Sequence, residues 1–151
     1  MRETNEFNSL EKSTIPPKVL NCPKVVDENV NYQSNEESVT ELQNFKTWNM
    51  GRLRAGDCEI RKSDITIYED GNCNLFIEFH DNGNIFGDHF DLTIKLWAGT
   101  EHILTWKFEA TLGAGGNREE TLRSNEPIPK IKDNFNRIHK VTRQLGCTPD
   151  F

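Results

Sequence analysis

Nowhere in this chain do apolar residues run to the roughly 18–20 in succession that a membrane-spanning helix requires. The opening stretch MRETNEFNSLEKSTIPPK contains no apolar core segment, so no secretory signal is read there. No N-x-[ST] acceptor occurs, and no C-x-x-C pair, so zinc-ribbon and thioredoxin-type chemistry have no signature. G-x-S-x-G is missing as well, which removes the nucleophile elbow of the serine hydrolases. Basic residues are in deficit, with 18 Lys and Arg against 24 Asp and Glu and a net charge of -6. That balance argues against a general phosphate-binding surface, because counterion release needs clustered cations. The expectations are a cytoplasmic location, no membrane insertion and no nucleic-acid partner. Export by a route without a cleaved signal would leave the same sequence.

What is present suits one domain with one core: 151 residues, 34% hydrophobic and 28% charged. Residues 1–43 are polar, with Pro16, Pro17 and Pro23 among many Asn, Glu and Ser. A segment of this kind buries too little apolar surface to offset its ordering entropy. It reads as a mostly disordered arm with one short docked piece at VLNCPKVV (19–26), and the domain proper runs over 44–147. Cys22, Cys58, Cys73 and Cys147 read as reduced, buried, apolar-like residues, with a disulfide as the alternative.

From Phe45 onward the pattern is that of strands. In DITIYED (64–70) Ile65 and Ile67 share one side, and Asp70-Gly71-Asn72 signals a turn. CNLFIEFH (73–80) puts Cys73, Leu75, Ile77 and Phe79 on one face, with Asn74, Phe76, Glu78 and His80 on the other. A one-residue slip would carry an apolar set to the wrong face, so an odd-length loop is expected, pairing Ile67 with Leu75 and Ile65 with Ile77. HFDLTIKLW (89–97) and HILTWKFEA (102–110) repeat the alternation around an Ala98-Gly99-Thr100 turn. Their inward residues are Phe90, Leu92, Ile94 and Leu96, then Leu104, Trp106 and Phe108. The expected fold class is therefore all-β, an antiparallel meander curled into a barrel to remove its edges. After the irregular GAGGN (113–117) and EPIPK (126–130), DNFNRIHKVTRQLG reads as one C-terminal α-helix over 133–145. Asp133 would cap it, Gly146 would stop it, and Phe135, Ile138, Thr142 and Leu145 would form its apolar stripe.

The candidate chemistry centres on HDNGNIFGDH (80–89). If its flanking strands pair, His80 meets His89 and Glu78 meets Asp91 about 4.5–5.5 Å apart. Glu78, His80, His89 and Asp91 would then be candidates for acid–base catalysis, and His80 and His89 for a metal. The competing reading is an ordinary solvated sheet face, since Lys95, Lys107 and Glu109 continue along it. DNGNIFGD (81–88) has the oxygen-rich look of a calcium loop, but neither the order nor the distal Glu of an EF-hand, so it reads as a plain loop. GAGGNREE (113–120) has glycines but no phosphate-loop spacing. Cys58 follows Asp57, which hinders thiolate formation.

A further pattern is formed by WNMGRLRAGDC (48–58), EDG (69–71), FNRI (135–138) and GC (146–147). It resembles an uncharacterised family of small bacterial domains carrying W-x-x-G-x-x-x-x-G-D-C, a D-G hairpin and a late F-x-x-I segment closing on a cysteine. The resemblance covers about residues 45–147 and implies that Trp48, Gly51, Gly56 and Asp57 build the fold. It also implies that Cys58 and Cys147 are a spatial pair, bonded or not. It brings no activity. At the level of fold alone, the expected meander is similar to lipocalin-like and allene-oxide-cyclase-like barrels.

The function expected from the sequence is a non-catalytic module binding a small apolar molecule or a protein partner, with no cofactor. Tyr68, Phe76, Trp97 and Trp106 are its candidate pocket walls. The alternatives are a barrel cyclase or isomerase, and a protein-interaction factor of the immunity or effector-associated kind.

Overall fold

The computed structural model describes residues 24–29, 33–35 and 44–150. Two antiparallel sheets face each other across one core. The first is four-stranded, in the order β1 (Lys24–Asn29), β10 (Lys140–Asp150), β7 (Gly87–Ala98) and β8 (Glu101–Leu112). The second runs β2 (Gln33–Asn35), β3 (Phe45–Met50), β5 (Cys58–Tyr68), β6 (Cys73–Asp81) and β9 (Asn117–Arg123), with β4 (Leu53–Ala55) paired to β5. The class is all-β, as the alternation predicts, with one short C-terminal helix.

The sheets do not close into a barrel. A meander requires consecutive strands to be neighbours, and here the chain changes sheet between β6 and β7 and again between β8 and β9. The inward residues stay inward either way, so period-two alternation does not separate a closing hairpin from a crossover. Phe79 of β6 and Phe90 of β7 meet edge to face across the layers, with ring centroids 5.5 Å apart. Around them are the fully buried Trp48, Ile60, Ile65, Ile67, Leu75 and Ile77 of one sheet and Leu92, Ile94, Leu96, Val141 and Leu145 of the other.

The β5–β6 connection has the expected odd parity, but the register lies two residues away from the expected one: Ile67 pairs Cys73 and Ile65 pairs Leu75. The Tyr68 N–H donates to the Asn72 carbonyl at 2.9 Å, so the three-residue loop is 69–71 rather than 70–72, and within it Asp70 accepts from the backbone and side chain of Asn72, both at 2.9 Å. Gly71 completes it at φ 101°, a conformation that L side chains rarely adopt. The β7–β8 hairpin has the predicted inward set, pairing Ile94 with Trp106 and Leu92 with Phe108.

The predicted helix over 133–145 is corrected. A helical turn over Pro129–Asn134 and a 3-10 turn over Phe135–Arg137 precede β10, the central strand that pairs both β1 and β7. Val141, Arg143, Leu145 and Cys147 point inward from β10. The polar Arg143 interrupts the period-two signal, and Ile138, Thr142 and Leu145 imitate a helical stripe. Arg143 is 2% exposed and donates to Asp27 through Nε at 3.1 Å and Nη2 at 2.5 Å. Its Nη1 reaches the Gly51 carbonyl at 2.7 Å and Ser63 Oγ at 3.2 Å. Lys46, buried on β3, donates to the carbonyls of Phe135 and Ile138, both at 2.7 Å, and burial lowers its pKa.

Part of the expected arm belongs to the sheets, as β1 and β2. β1 pairs β10 from Lys24 opposite Gly146 to Asn29 opposite Val141. The rest of 1–43 lies outside the described residues, as does most of VLNCPKVV. NREETLR, for which no strand is predicted, is the polar edge strand β9.

Cys58 of β5 and Cys147 of β10 are joined by a disulfide across the two sheets, replacing the expectation of reduced thiols at these positions. Cys73, at the start of β6, is buried in the core.

Candidate functional site

The expected meeting of His80 with His89 does not occur, because β6 and β7 lie in different sheets. His80 pairs Glu59 on β5 and Asn117 on β9, and its Nδ1 lies 2.6 Å from Asn117 Oδ1. Glu78 stands opposite Lys62 and Glu119. His89 and Asp91 remain neighbours on β7, with Nε2 of His89 3.5 Å from Asp91 Oδ1. The four acid–base candidates are thus divided two and two between the sheets.

The four aromatic candidates do not line one cavity. Trp106 is in the core at 4% exposure. Trp97 is half-buried on the outer face of β7, where its Nε1 donates to Thr142 at 2.9 Å and Lys95 and Lys140 lie over its ring. Phe76 is half-buried under Lys62, and Tyr68 packs on Phe45 with ring centroids 5.9 Å apart. Trp48 is fully buried, and the Gly51 carbonyl accepts from Arg143. Gly56 at φ 59° and Asp57 form the two-residue turn between Ala55 and Cys58.

The described cleft lies at the end of the sandwich where these turns converge. It measures about 370 Å³ and is lined by Asp57, Asn84, Ile85, Phe86, Asp88 and Pro149. Its wall is the crossover from β6 to β7, residues 82–86. Asn82 fastens that crossover at its β6 end by two bonds: its backbone N–H donates to the Asp57 carbonyl at 2.8 Å and its Nδ2 to Glu59 Oε1 at 2.9 Å. Burial alone would raise the Glu59 pKa, but the Asn82 amide and the charges of Arg52, Arg61 and His80 outweigh it and hold the carboxyl below its usual range. Gly83 donates its N–H to Asp81 Oδ1 at 2.7 Å, and a Cβ there would sit 2.6 Å from the Phe86 carbonyl. The crossover lifts Ile85 and Phe86 into solvent, at 80% and 53% exposure.

Two carboxylates meet beneath this loop. Asp81 ends β6 at 0% exposure and Asp88 is the second residue of β7 at 5%, and on each the buried Oδ2 has no hydrogen-bond partner among the described residues. Asp88 also lies against the disulfide, with a carboxylate oxygen within 4.8 Å of both sulfurs. Its pKa is pushed up to about 7, first by burial, then by a hydrogen bond to Asp81 that requires a proton, then by the charges of Asp81, Asp57 and Asp150. Among the described residues no cation offsets these influences. The cleft therefore combines an acidic floor with an apolar rim. It can hold a positive charge next to an apolar body, or a proton.

Sequence reasoning reached this loop through its oxygen-rich composition but missed Asp81 and Asp88 as a pair. The sequence signal was present: two Asp residues at inward positions of otherwise apolar strand faces, Phe79-x-Asp81 and Asp88-x-Phe90. Comparison with known proteins finds no matching family model, no matching curated protein and no matching solved structure.

Proposed function

We propose that this protein is a non-catalytic binding module whose ligand is an organic cation, an ammonium or guanidinium group carried beside an apolar body. The observation that carries this reading is Asp88, 5% exposed, with a carboxylate oxygen that has no donor among the described residues, at the edge of a cleft rimmed by Ile85 and Phe86. Burying an ionised carboxylate without a partner is costly, and a cation entering the cleft supplies that partner in place of the proton. Ile85 and Phe86 are large apolar residues held open to water, and burying them supplies the remainder of the affinity. The Cys58–Cys147 bond, which persists best in oxidising surroundings, supports action outside the cytosol.

The test is calorimetry and amide NMR with 2-phenylethylamine and its neutral counterpart 2-phenylethanol. The expected result is saturable binding of the amine at pH 8, with shifted amides at residues 83–88 and binding of the alcohol weaker by about tenfold or more. Asp88→Asn should abolish the preference for the amine. Equal binding of both compounds, or no binding across a panel of aromatic and aliphatic amines, would overturn the reading. An amine released chemically altered would make the protein an enzyme.

A further inference from the structure

On the outer face of the first sheet, away from the crossover, β7 and β8 place two carboxylates directly opposite one another. Asp91 pairs Glu109 across the ladder, an arrangement that is destabilising for like charges unless something positive lies between them. His89, two residues along the same face, turns its ring into that space. Its Nε2 lies 3.5 Å from Asp91 Oδ1 and 3.5 Å from Glu109 Oε1. Its Nδ1 is 2.8 Å from the hydroxyl of Thr111, its own cross-strand partner. With the Nδ1 proton given to Thr111, Nε2 presents a lone pair, and three acceptor atoms face one point with no donor among them.

We propose that His89, Asp91 and Glu109 form a surface site for a divalent transition-metal ion, with Zn²⁺ as its probe. The three ligand atoms all lie within 4.8 Å of one another. Zinc binds nitrogen and carboxylate oxygen at about 2.0–2.2 Å, so the edge of its tetrahedron is about 3.3–3.6 Å long. The two 3.5 Å separations from Nε2 match that edge. Thr111 acts as the outer partner that fixes tautomer and ring orientation in histidine ligands. On the other flank the residue opposite Asp91 is Gly146, which adds no side chain beside that carboxylate. His80, bonded to Asn117 on the other sheet, takes no part. The site is independent of the cleft and of the proposed organic cation.

The experiment is calorimetric titration of the untagged full chain with Zn²⁺ at pH 7.5, alongside NMR of the histidine rings. One saturable site is expected, with the His89 ring resonances moving and those of His80 unmoved. His89→Ala should abolish this binding and His80→Ala leave it intact. Asp91→Asn, Glu109→Gln and Thr111→Val should each weaken it about tenfold or more. These side chains are exposed or half-exposed, so the variants should fold, and the circular dichroism of each would verify it. Absence of saturable binding, or binding that survives His89→Ala, would overturn the proposal. So would a His89 imidazolium that stays protonated near neutral pH and ignores added Zn²⁺, since the proton would then be the ion that holds the two carboxylates together.

Discussion

Asp88 keeps its proton into the neutral range because burial, the hydrogen bond to Asp81 and three neighbouring carboxylates all disfavour its charged form. Its folded pKa of about 7 lies above the ordinary 3.8, so between those values the folded chain holds a proton that the unfolded chain releases. The contribution of Asp88 to stability is therefore complete below about pH 4, falls as pH rises toward 7, and is gone above it. Asp88→Asn, which keeps the shape of the protonated acid, should raise stability at pH 8 by about 1–3 kcal/mol and change little at pH 5, as read by urea unfolding at both pH values. The proposed amine should bind more tightly as pH rises from 6 to 8, because it competes with that proton. Arg143 poses the opposite problem, a buried cation that needs its partners. Arg143→Ala would leave Asp27 unpaired and the Gly51 carbonyl without its donor, and should cost about 3–5 kcal/mol in denaturant unfolding. A loss below about 1 kcal/mol would mean the network contributes little.

At the scale of elements, β10 shows where a local pattern misleads. VTRQLGC has a helix-like stripe and a good helix stop, yet it lies between β1 and β7, whose ladders satisfy its backbone on both edges. That choice depends on strands distant in sequence, which is the usual way tertiary pairing overrides a local preference. The hairpin β7–β8 was legible because its alternation holds from Phe90 to Leu96 and from Leu104 to Phe108 and its turn residues agree with it, whereas the bulge beside Leu96 that buries Ile103 was not. β1 was hidden for the reverse reason: it is polar and short, and it has value only beside β10. Deletion of residues 1–30 should therefore destabilise the domain by several kcal/mol, because it bares an edge of β10 and strips Asp27 from Arg143. Unchanged unfolding of the truncated chain would show that β1 is dispensable. The crossover 82–86 is equally constrained. Gly83→Ala would push a methyl group against the Phe86 carbonyl and Asp81, so it should disturb the cleft and weaken amine binding while the sheets stay folded.

For the molecule as a whole, the disulfide and the crossovers β6–β7, β8–β9 and β9–β10 bind the layers together. Cys58 and Cys147 are 89 residues apart, and closing a loop of that size restricts the unfolded chain strongly. Replacing both cysteines by Ala should cost about 2–5 kcal/mol, and reductant should have a similar effect on the natural chain but none on the double variant. Insensitivity of the natural chain to reductant would show that the bond adds nothing. Among the described residues no helix is long and apolar enough to cross a membrane.

The residues by themselves determined the class, because alternation of apolar and polar side chains follows from the two-residue period of a strand wherever that strand ends up. They also determined which faces of β6, β7 and β8 are buried, and the odd parity of the Asp70-Gly71-Asn72 connection. Tertiary structure alone decided which strands are neighbours. Consequently it decided that His80 and His89 part, that Asp91 meets Glu109, and that Asp81 meets Asp88 beneath the crossover. A strand's apolar face specifies only that it must be covered. The pairing partner along its edge is chosen by backbone hydrogen bonds that every residue but proline can both donate and accept, and those bonds leave no mark on the side-chain pattern.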